Sequence, residues 1–210
     1  MPSIEAVQSL TGAIQSPIKS QILPKAKIIV ASPSLANNSA LLEYMTSFIN
    51  RSYHSNYDGL VDTKKHIRTS ASELSQKILS GQIAIAWKPS SDPDKEIAED
   101  VIGCVSIELV GPGMAGLGLL TCHLEHRGTR IGQQLMEFAE DWAKRLGAEE
   151  MQLEILVPDG WEHEENHRVV RWYERRGYKL LRVAETREII EWLATVVTGP
   201  TKMRIYRKKL

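Results

Sequence analysis

The chain has 210 residues, of which 42% are hydrophobic, and this suits one compact domain with a closed core. Lysine plus arginine number 26, and so do aspartate plus glutamate, so the formal net charge is zero. That balance argues against a polybasic nucleic-acid binder and against an acidic disordered protein.

Cysteine usage and the first residues point to an intracellular protein. Cys104 and Cys122 are the only cysteines and lie in apolar stretches, so we expect reduced core thiols rather than disulfides or a cysteine-built zinc site. Residues 1–10 lack the basic and apolar parts of a signal peptide. The longest stretch without charged or strongly polar residues, 109–122, is too short to span a bilayer. We expect a cytoplasmic protein, or a nuclear one, without a membrane or nucleic-acid partner.

Periodicity divides the chain into alternating elements. Residues 1–25 contain three prolines and no sustained period, which predicts a flexible arm before a single domain over 26–210. Residues 89–95 are predicted to form a loop. The predicted strands are 27–31, 82–88, 101–110, 115–124, 151–157, 178–183 and 202–208, and the predicted helices are 35–53, 70–80, 131–146, 165–176 and 185–197. This order predicts an α/β domain around a mixed sheet.

A glycine-rich stretch fits a nucleotide-binding pattern but lies in the wrong context. Gly111-Pro-Gly-Met-Ala-Gly116 matches GxGxxG, which needs a strand before it and a helix after it. Here a second predicted strand follows. We therefore predict a hairpin turn between two strands.

A second stretch fits a zinc-peptidase pattern. His163-Glu-Glu-Asn-His167 matches HExxH, in which two histidines on one helix face bind zinc, with Glu185 or Glu188 as a third ligand. The stretch follows a loop, and acidic residues at a helix start also suit the helix dipole without a metal. We expect a helix N-terminus and no metal, and keep a zinc peptidase as an alternative.

The segment 120–135 predicts an anion site. A strand is followed by a short basic turn and an amphipathic helix whose first N–H groups have no partner within the helix. Gly128 and Gly132 allow close approach of a ligand, and Arg127 and Arg130 can bind phosphate oxygens.

Two motifs resemble those of the GNAT superfamily of N-acetyltransferases. Arg127-Gly-Thr-Arg-Ile-Gly132 is similar to the motif Arg/Gln-x-x-Gly-x-Gly/Ala that binds the acetyl-CoA pyrophosphate, although Arg130 replaces the middle glycine. Asn166-His-Arg-Val-Val-Arg-Trp-Tyr-Glu-Arg-Arg-Gly-Tyr178 is similar to Asn-x-x-Ala-x-x-Leu-Tyr-x-x-x-Gly-Phe, with one helix and one strand between the motifs. The resemblance implies a mostly antiparallel sheet of about seven strands, flanked by helices and splayed between strands four and five.

The resemblance also implies a site for acetyl-CoA as co-substrate. Backbone groups of strand four would bond the pantetheine arm, the basic turn would hold the pyrophosphate, and Asn166 would anchor the arm. Tyr173 would act as general acid on the departing thiolate. The residues that would bind acetyl-CoA are Leu120, Thr121, Cys122, Arg127, Gly128, Thr129, Arg130, Ile131, Gly132, Gln133 and Asn166.

The acceptor amine needs a base, because a free amine with a pKa of about 10.4 is mostly protonated at neutral pH. Glu154, on the polar face of strand five, is the favoured base, either directly or through a water relay. Glu108 and Glu125 are the alternatives.

The loop before the second motif predicts how an amine is attracted. Trp161 and four carboxylates, Asp159, Glu162, Glu164 and Glu165, would form an acidic, aromatic lip for a cationic amine.

The favoured function is acetyl transfer from acetyl-CoA to a primary amine by direct attack. A catalytically inactive CoA-binding module remains an alternative because the base is unassigned. A homodimer through the helix around Trp192 and the terminal strand is a further expectation.

Overall fold

The computed structural model describes residues 25–88 and 98–210, so the predicted arm before residue 25 and the predicted loop 89–95 lie outside the described residues. The strands are β1 (Lys27–Val30), β2 (Ile83–Trp87), β3 (Val101–Gly111), β4 (Met114–Cys122), β5 (Glu150–Pro158), β6 (Lys179–Glu185) and β7 (Thr201–Lys209). The helices are α1 (Ser39–Asn56), α2 (Ala71–Leu79), α3 (Ile131–Arg145), α4 (Glu164–Glu174) and the single turn α5 (Thr186–Ile189).

The strands form one sheet in the order β1-β2-β3-β4-β5-β7-β6. Each neighbouring pair is antiparallel except β4 and β5, which are parallel. That parallel pair is short, because only Met114–Gly116 of β4 align with Glu150–Gln152 of β5. Beyond Gly116 the two strands diverge. The predicted sheet, mostly antiparallel and splayed between strands four and five, is confirmed.

Helices cover both faces of the sheet. One core cluster joins α3 to the sheet through Leu135, Met136 and Trp142, which pack on residues of β3, β4 and β5. A second cluster joins α1 and α2 to the opposite face, with Met45 and Ile78 fully buried. These residues recur at helical spacing, so burial of one apolar stripe per helix stabilises each helix on the sheet.

A third cluster lies away from the main core and includes part of the segment 185–197, for which a helix was predicted. The predicted helix 185–197 is wrong, because β6 extends to Glu185 and the chain then makes only α5 and a 3-10 turn, Leu193–Thr195. Leu193 and Met203 pack with Leu60, which precedes α2. Tertiary contacts with this distant segment, rather than helical periodicity, determine the local conformation.

The glycine-rich stretch forms the predicted hairpin. β3 ends at Gly111 and β4 begins at Met114, so Pro112 and Gly113 form the turn. Gly113 has a φ of 66°, a conformation that glycine adopts without steric cost.

None of the helices within the described ranges is long and apolar enough to cross a bilayer.

The two segments predicted to form a homodimer interface are the terminal strand and the region around Trp192. β7 lies between β5 and β6, so both of its edges are hydrogen-bonded within the chain and cannot pair with a second copy. Trp192 is 46% exposed and precedes the 3-10 turn rather than lying in a long helix.

Candidate active site

A cavity of about 450 Å³ opens where β4 and β5 diverge. Five parts of the chain line it: the end of α1, the end of β4, the turn before α3, the middle of β5, and α4. Its lining includes these predicted site residues: Leu120, Thr121, Cys122, Arg127, Gly128, Arg130, Ile131, Gly132, Gln133, Glu154, Asn166 and Tyr173. The fold therefore brings together residues that lie up to 53 positions apart in the sequence.

The N-terminus of α3 reaches this cavity without a side-chain cap. Asn38, Ser70 and His163 each cap their helices by accepting a backbone N–H bond, whereas Arg130 makes no such bond at the start of α3. The first N–H groups of a helix have no partner within it, and the helix dipole makes this end attractive to anions. The uncapped end is therefore available to a phosphate group.

Arg130 stands where the family motif has its middle glycine. Its φ is 70°, in the left-handed region that favours glycine. The turn thus keeps the backbone conformation for which glycine is suited and adds a guanidinium at the cavity wall. Gly128 also has a positive φ, of 79°.

Arg127 contacts α1 instead of a charged partner. Its guanidinium donates to Ser52 Oγ at 3.2 Å and to Asn56 Oδ1 at 3.1 Å, which ties the turn to the C-terminal end of α1. Thr129 does not line the cavity, and its hydroxyl donates to the carbonyl of His126 at 2.5 Å.

The end of β4 presents an unusual backbone to the cavity. Pairing with β3 shifts between Cys104 and Ser106, and Leu119 has a φ of 47°, which marks a bulge in β4. Thr121 is 4% exposed, and its buried Oγ1 has no hydrogen-bond partner among the described residues. A buried hydroxyl without a partner in a cavity wall suits a polar ligand group.

The two cysteines differ in their surroundings. Burial raises the pKa of the Cys104 thiol to about 12, and the thiol donates to the carbonyl of Leu119. Cys122 lines the cavity, and burial also raises its pKa. Both are free thiols, as expected.

Asn166 fastens α4 to β5. It is buried, and its Nδ2 donates to the carbonyl of Leu156 at 2.5 Å. Its backbone N–H donates to Nδ1 of His163, which caps the helix. The Nε2 of His163 lies 2.7 Å from the carbonyl of Asp58, so both ring nitrogens have contacts within the protein.

The segment that fits HExxH is therefore a capped helix start. His167 contacts Glu162 rather than His163. Within residues 25–88 and 98–210, no group of three or more His, Cys, Asp or Glu side chains is arranged to hold a metal ion.

Tyr173 is half-buried on α4, and its ring packs edge-on against Trp172 and Tyr178 at 4.9 and 5.7 Å between centroids. Burial, followed by the phenols of Tyr53 and Tyr57, raises its pKa above the ordinary value. The phenol therefore stays protonated at neutral pH, as a proton donor must.

Of the three candidate carboxylates, one lines the cavity. Glu154 is exposed on β5 and accepts a bond from Gln152 Nε2 at 2.9 Å. Glu108 lies 3.8 Å from the ammonium of Lys77 near the far end of β3, and Glu125 lies 3.9 Å from His123. Neither lines this cavity.

Two of the four carboxylates of the predicted acidic lip, Asp159 and Glu165, pair with nearby cations. Glu162 contacts His167, Glu165 contacts Arg168, and Asp159 lies 3.7 Å from the ammonium of Lys202. These pairs weaken the negative potential on which the lip hypothesis depends.

A second cavity, of about 260 Å³, adjoins the first. Both are lined by Tyr53, Tyr57, Leu120, Glu154 and Tyr173. The remaining wall comes from β4, β5 and β7, from the segment between α1 and α2, and from the connection between β6 and β7. It includes His66, Arg68, Ile190, Trp192, Leu193 and Met203.

Sequence reasoning did not assign this second cavity. Its segments lack periodicity, and no motif covers them. The available signal was the concentration of aromatic and basic residues in 53–68, which has no fixed spacing.

Comparisons with known proteins agree with the fold and the motifs. The model of the Acetyltransferase (GNAT) family matches residues 79–178, which include both motifs. No curated protein matches the sequence. Residues 79–178 therefore match the GNAT acetyltransferase family, and the resemblance recognised from the two motifs is confirmed.

Solved structures show the same fold at low sequence identity. The PaiA N-acetyltransferase of Thermoplasma acidophilum, in complex with coenzyme A, is 20% identical with a TM-score of 0.60, covering 88% of this chain and 99% of its own. Ard1 of Thermoplasma volcanium is 12% identical with a TM-score of 0.60, covering 89% and 99%. NAA60 of Arabidopsis thaliana, in complex with a bisubstrate analogue, is 15% identical with a TM-score of 0.58, covering 88% and 97%.

Proposed function

We propose that the protein transfers the acetyl group of acetyl-CoA to a primary amine. One observation carries the proposal: a single cavity joins the uncapped N-terminus of α3, the end of β4 that has no β5 partner, and the side chains of Tyr173 and Glu154. Two structural relatives, the PaiA N-acetyltransferase and the NatC complex, hold coenzyme A, which supports the same ligand here.

The chemical groups of the cavity fit acetyl-CoA. The N–H groups at the start of α3, together with Arg130, suit the pyrophosphate. Because β4 has no β5 partner beyond Gly116, its end offers backbone groups to an extended pantetheine arm, in the manner of an added strand. The unpartnered Oγ1 of Thr121 offers one more polar contact.

Bound acetyl-CoA supplies the activated acetyl group. The amine nitrogen bonds to the carbonyl carbon while the carbon–sulfur bond breaks, and Tyr173 gives a proton to the departing thiolate. Glu154, directly or through a water, removes a proton from the amine, and this proton restores the phenol. The products are an amide and free CoA.

Two features support Glu154 over the other carboxylates. It lines both cavities, whereas Glu108 and Glu125 line neither. It also lies on β5, facing away from the buried side chains of Leu153 and Ile155. A base at the junction of the two cavities reaches an amine that enters from the second one.

The experiment is an assay of acetyl-CoA with a panel of amines, amino acids and peptides, following free thiol release and product mass. We expect acetylated product with at least one class of amine. Tight CoA binding without transfer to any amine would instead favour the CoA-binding module.

Because Cys104 and Cys122 are both free thiols, we also propose a reducing, cytoplasmic or nuclear, location.

A further inference from the structure

The second cavity contains a cation without an acidic partner. The guanidinium of Arg68 lies over the ring of Tyr53 at 5.0 Å from the centroid and lines the cavity wall. In the part of the chain that the structure describes, no carboxylate lies within 4.0 Å of it. A half-buried guanidinium has lost part of its hydration, so an anion from a ligand would stabilise it.

A buried histidine beside it has unsatisfied polar atoms. His66 is 1% exposed, lines the same cavity, and neither ring nitrogen has a hydrogen-bond partner among residues 25–88 and 98–210. The rings of His54, Tyr57 and Trp192 surround it at 5.5 to 5.7 Å between centroids. Because an unpaired buried group costs free energy, a ligand that bonds to this ring is favoured.

The rest of the lining is partly apolar and partly shared with the first cavity. Tyr53, Trp192 and Leu193 contribute apolar surface to the wall. Glu154 and Tyr173 line both cavities and mark where the two cavities adjoin. A ligand that satisfies the whole cavity therefore carries an anion, an apolar body and an amine.

We propose that the acceptor is a small amine that bears a carboxylate, such as an amino acid with an apolar side chain. The carboxylate binds Arg68 and His66, the apolar body contacts Tyr53 and Trp192, and the amine lies toward Glu154. The inference rests on the proposed function and narrows its substrate class. A polyamine fits less well, because its second cation would meet the guanidinium.

The test compares matched amines with and without the carboxylate. L-phenylalanine is set against L-phenylalaninamide and 2-phenylethylamine, and L-leucine against isoamylamine, with acetyl-CoA saturating. We expect kcat/KM for each carboxylate-bearing amine to exceed that of its partner by about tenfold or more, as one retained charge-assisted contact would give.

Two arginine variants locate the effect. Arg68→Met should remove the advantage of the carboxylate while leaving the KM for acetyl-CoA unchanged, and Arg68→Lys should restore part of it. Arg51→Met is the control, since Arg51 is exposed on α1, donates to Ser47 Oγ at 3.3 Å and lines neither cavity. The comparison in the unmodified protein stands even if Arg68→Met fails to fold.

The outcomes separate this inference from the proposed function. If only amines without a carboxylate are acetylated, or if Arg68→Met slows both members of a pair equally, the inference is wrong while acetyl transfer stands. If CoA binds and neither group of amines is acetylated, both proposals fail.

Discussion

The side chain of Asn50 on α1 holds the backbone of Arg68, whose N–H donates to Asn50 Oδ1 at 2.7 Å. The same oxygen accepts the N–H of Thr69 at 3.1 Å, and Asn50 Nδ2 donates to the carbonyl of Thr69 at 2.9 Å. One amide thus fixes the segment that brings His66 and Arg68 to the second cavity.

Asn50→Ala should therefore weaken binding of the acceptor more than binding of CoA. We expect the acceptor KM to rise about tenfold and stability to fall by about 1–3 kcal/mol, because the N–H groups of Arg68 and Thr69 lose their acceptor. Steady-state kinetics and chemical denaturation measure the two effects. Asn38→Ala is the matched control, since it removes the cap of α1 at a similar cost in stability, far from the cavity. Equal KM values in both variants would contradict the positioning role.

Tyr173→Phe should lower kcat by about 10²- to 10⁴-fold, because the phenol supplies the proton to the leaving thiolate. The Kd for CoA, measured by calorimetry, should change little. Tyr178→Phe is the control: its hydroxyl contacts Glu140 and Met151 in the core, so this variant should lose stability and keep its turnover. Full activity in Tyr173→Phe would require another proton donor.

Glu154→Gln should lower kcat/KM by about 10²-fold or more if this carboxylate removes the proton of the amine. Gln keeps the size and polarity of the side chain, so the loss would reflect its charge. Glu108→Gln and Glu125→Gln, made in parallel, should retain activity because their side chains lie outside both cavities. A large loss in either of these two variants would reassign the base.

Arg130→Gly separates backbone from charge at the start of α3. Glycine adopts the observed φ of 70° without strain, so the variant should be as stable as the parent protein or more stable by up to about 1 kcal/mol. Without the guanidinium, we expect the Kd for CoA to rise about tenfold and to depend less on salt. Arg130→Asn, which also tolerates this conformation, should behave in the same way. An unchanged Kd would leave phosphate binding to the backbone alone.

The free energy of unfolding should decrease at acidic pH, and His66 should account for part of that decrease. Burial, then the nearby His54 and Arg68, lowers the pKa of His66 to about 4. This value lies below the ordinary 6.5, so as the pH falls from 6.5 to 4 the unfolded chain takes up the proton first and the folded state loses stability. The loss due to His66 is about 3 kcal/mol across that window. Denaturation curves at pH 7.5 and pH 4.5 should show that His66→Gln lacks this loss of stability. Equal losses of stability in the parent protein and in His66→Gln would contradict the assignment.

Local patterns predicted most of the fold. The spacing of apolar residues along α3, such as Leu135 and Trp142, predicts the buried stripe that the structure shows. The predicted start of a helix at residue 70 is also confirmed, since Ser70 caps α2 and its Oγ accepts the N–H of Glu73 at 3.1 Å. The two motifs located the first cavity because each lies within a single turn or helix, where sequence spacing determines geometry.

The second cavity could not be predicted in this way. Arg68 and Trp192 are more than 120 positions apart, and only tertiary contacts bring them to one wall. The same contacts explain the wrong prediction of a long helix over 185–197. There, Val197 pairs with Val61, and the N–H of Asp62 donates to the carbonyl of Val196 at 2.7 Å.

This clasp between 60–62 and 196–198 has a consequence for acceptor preference. The family model ends at residue 178 and begins at residue 79, so both partners of the clasp lie outside the shared segment. Because each of the two segments holds the other in place, the wall that they give to the second cavity depends on both. If that cavity binds the acceptor, grafting one segment without its partner into a related protein should fail to transfer acceptor preference.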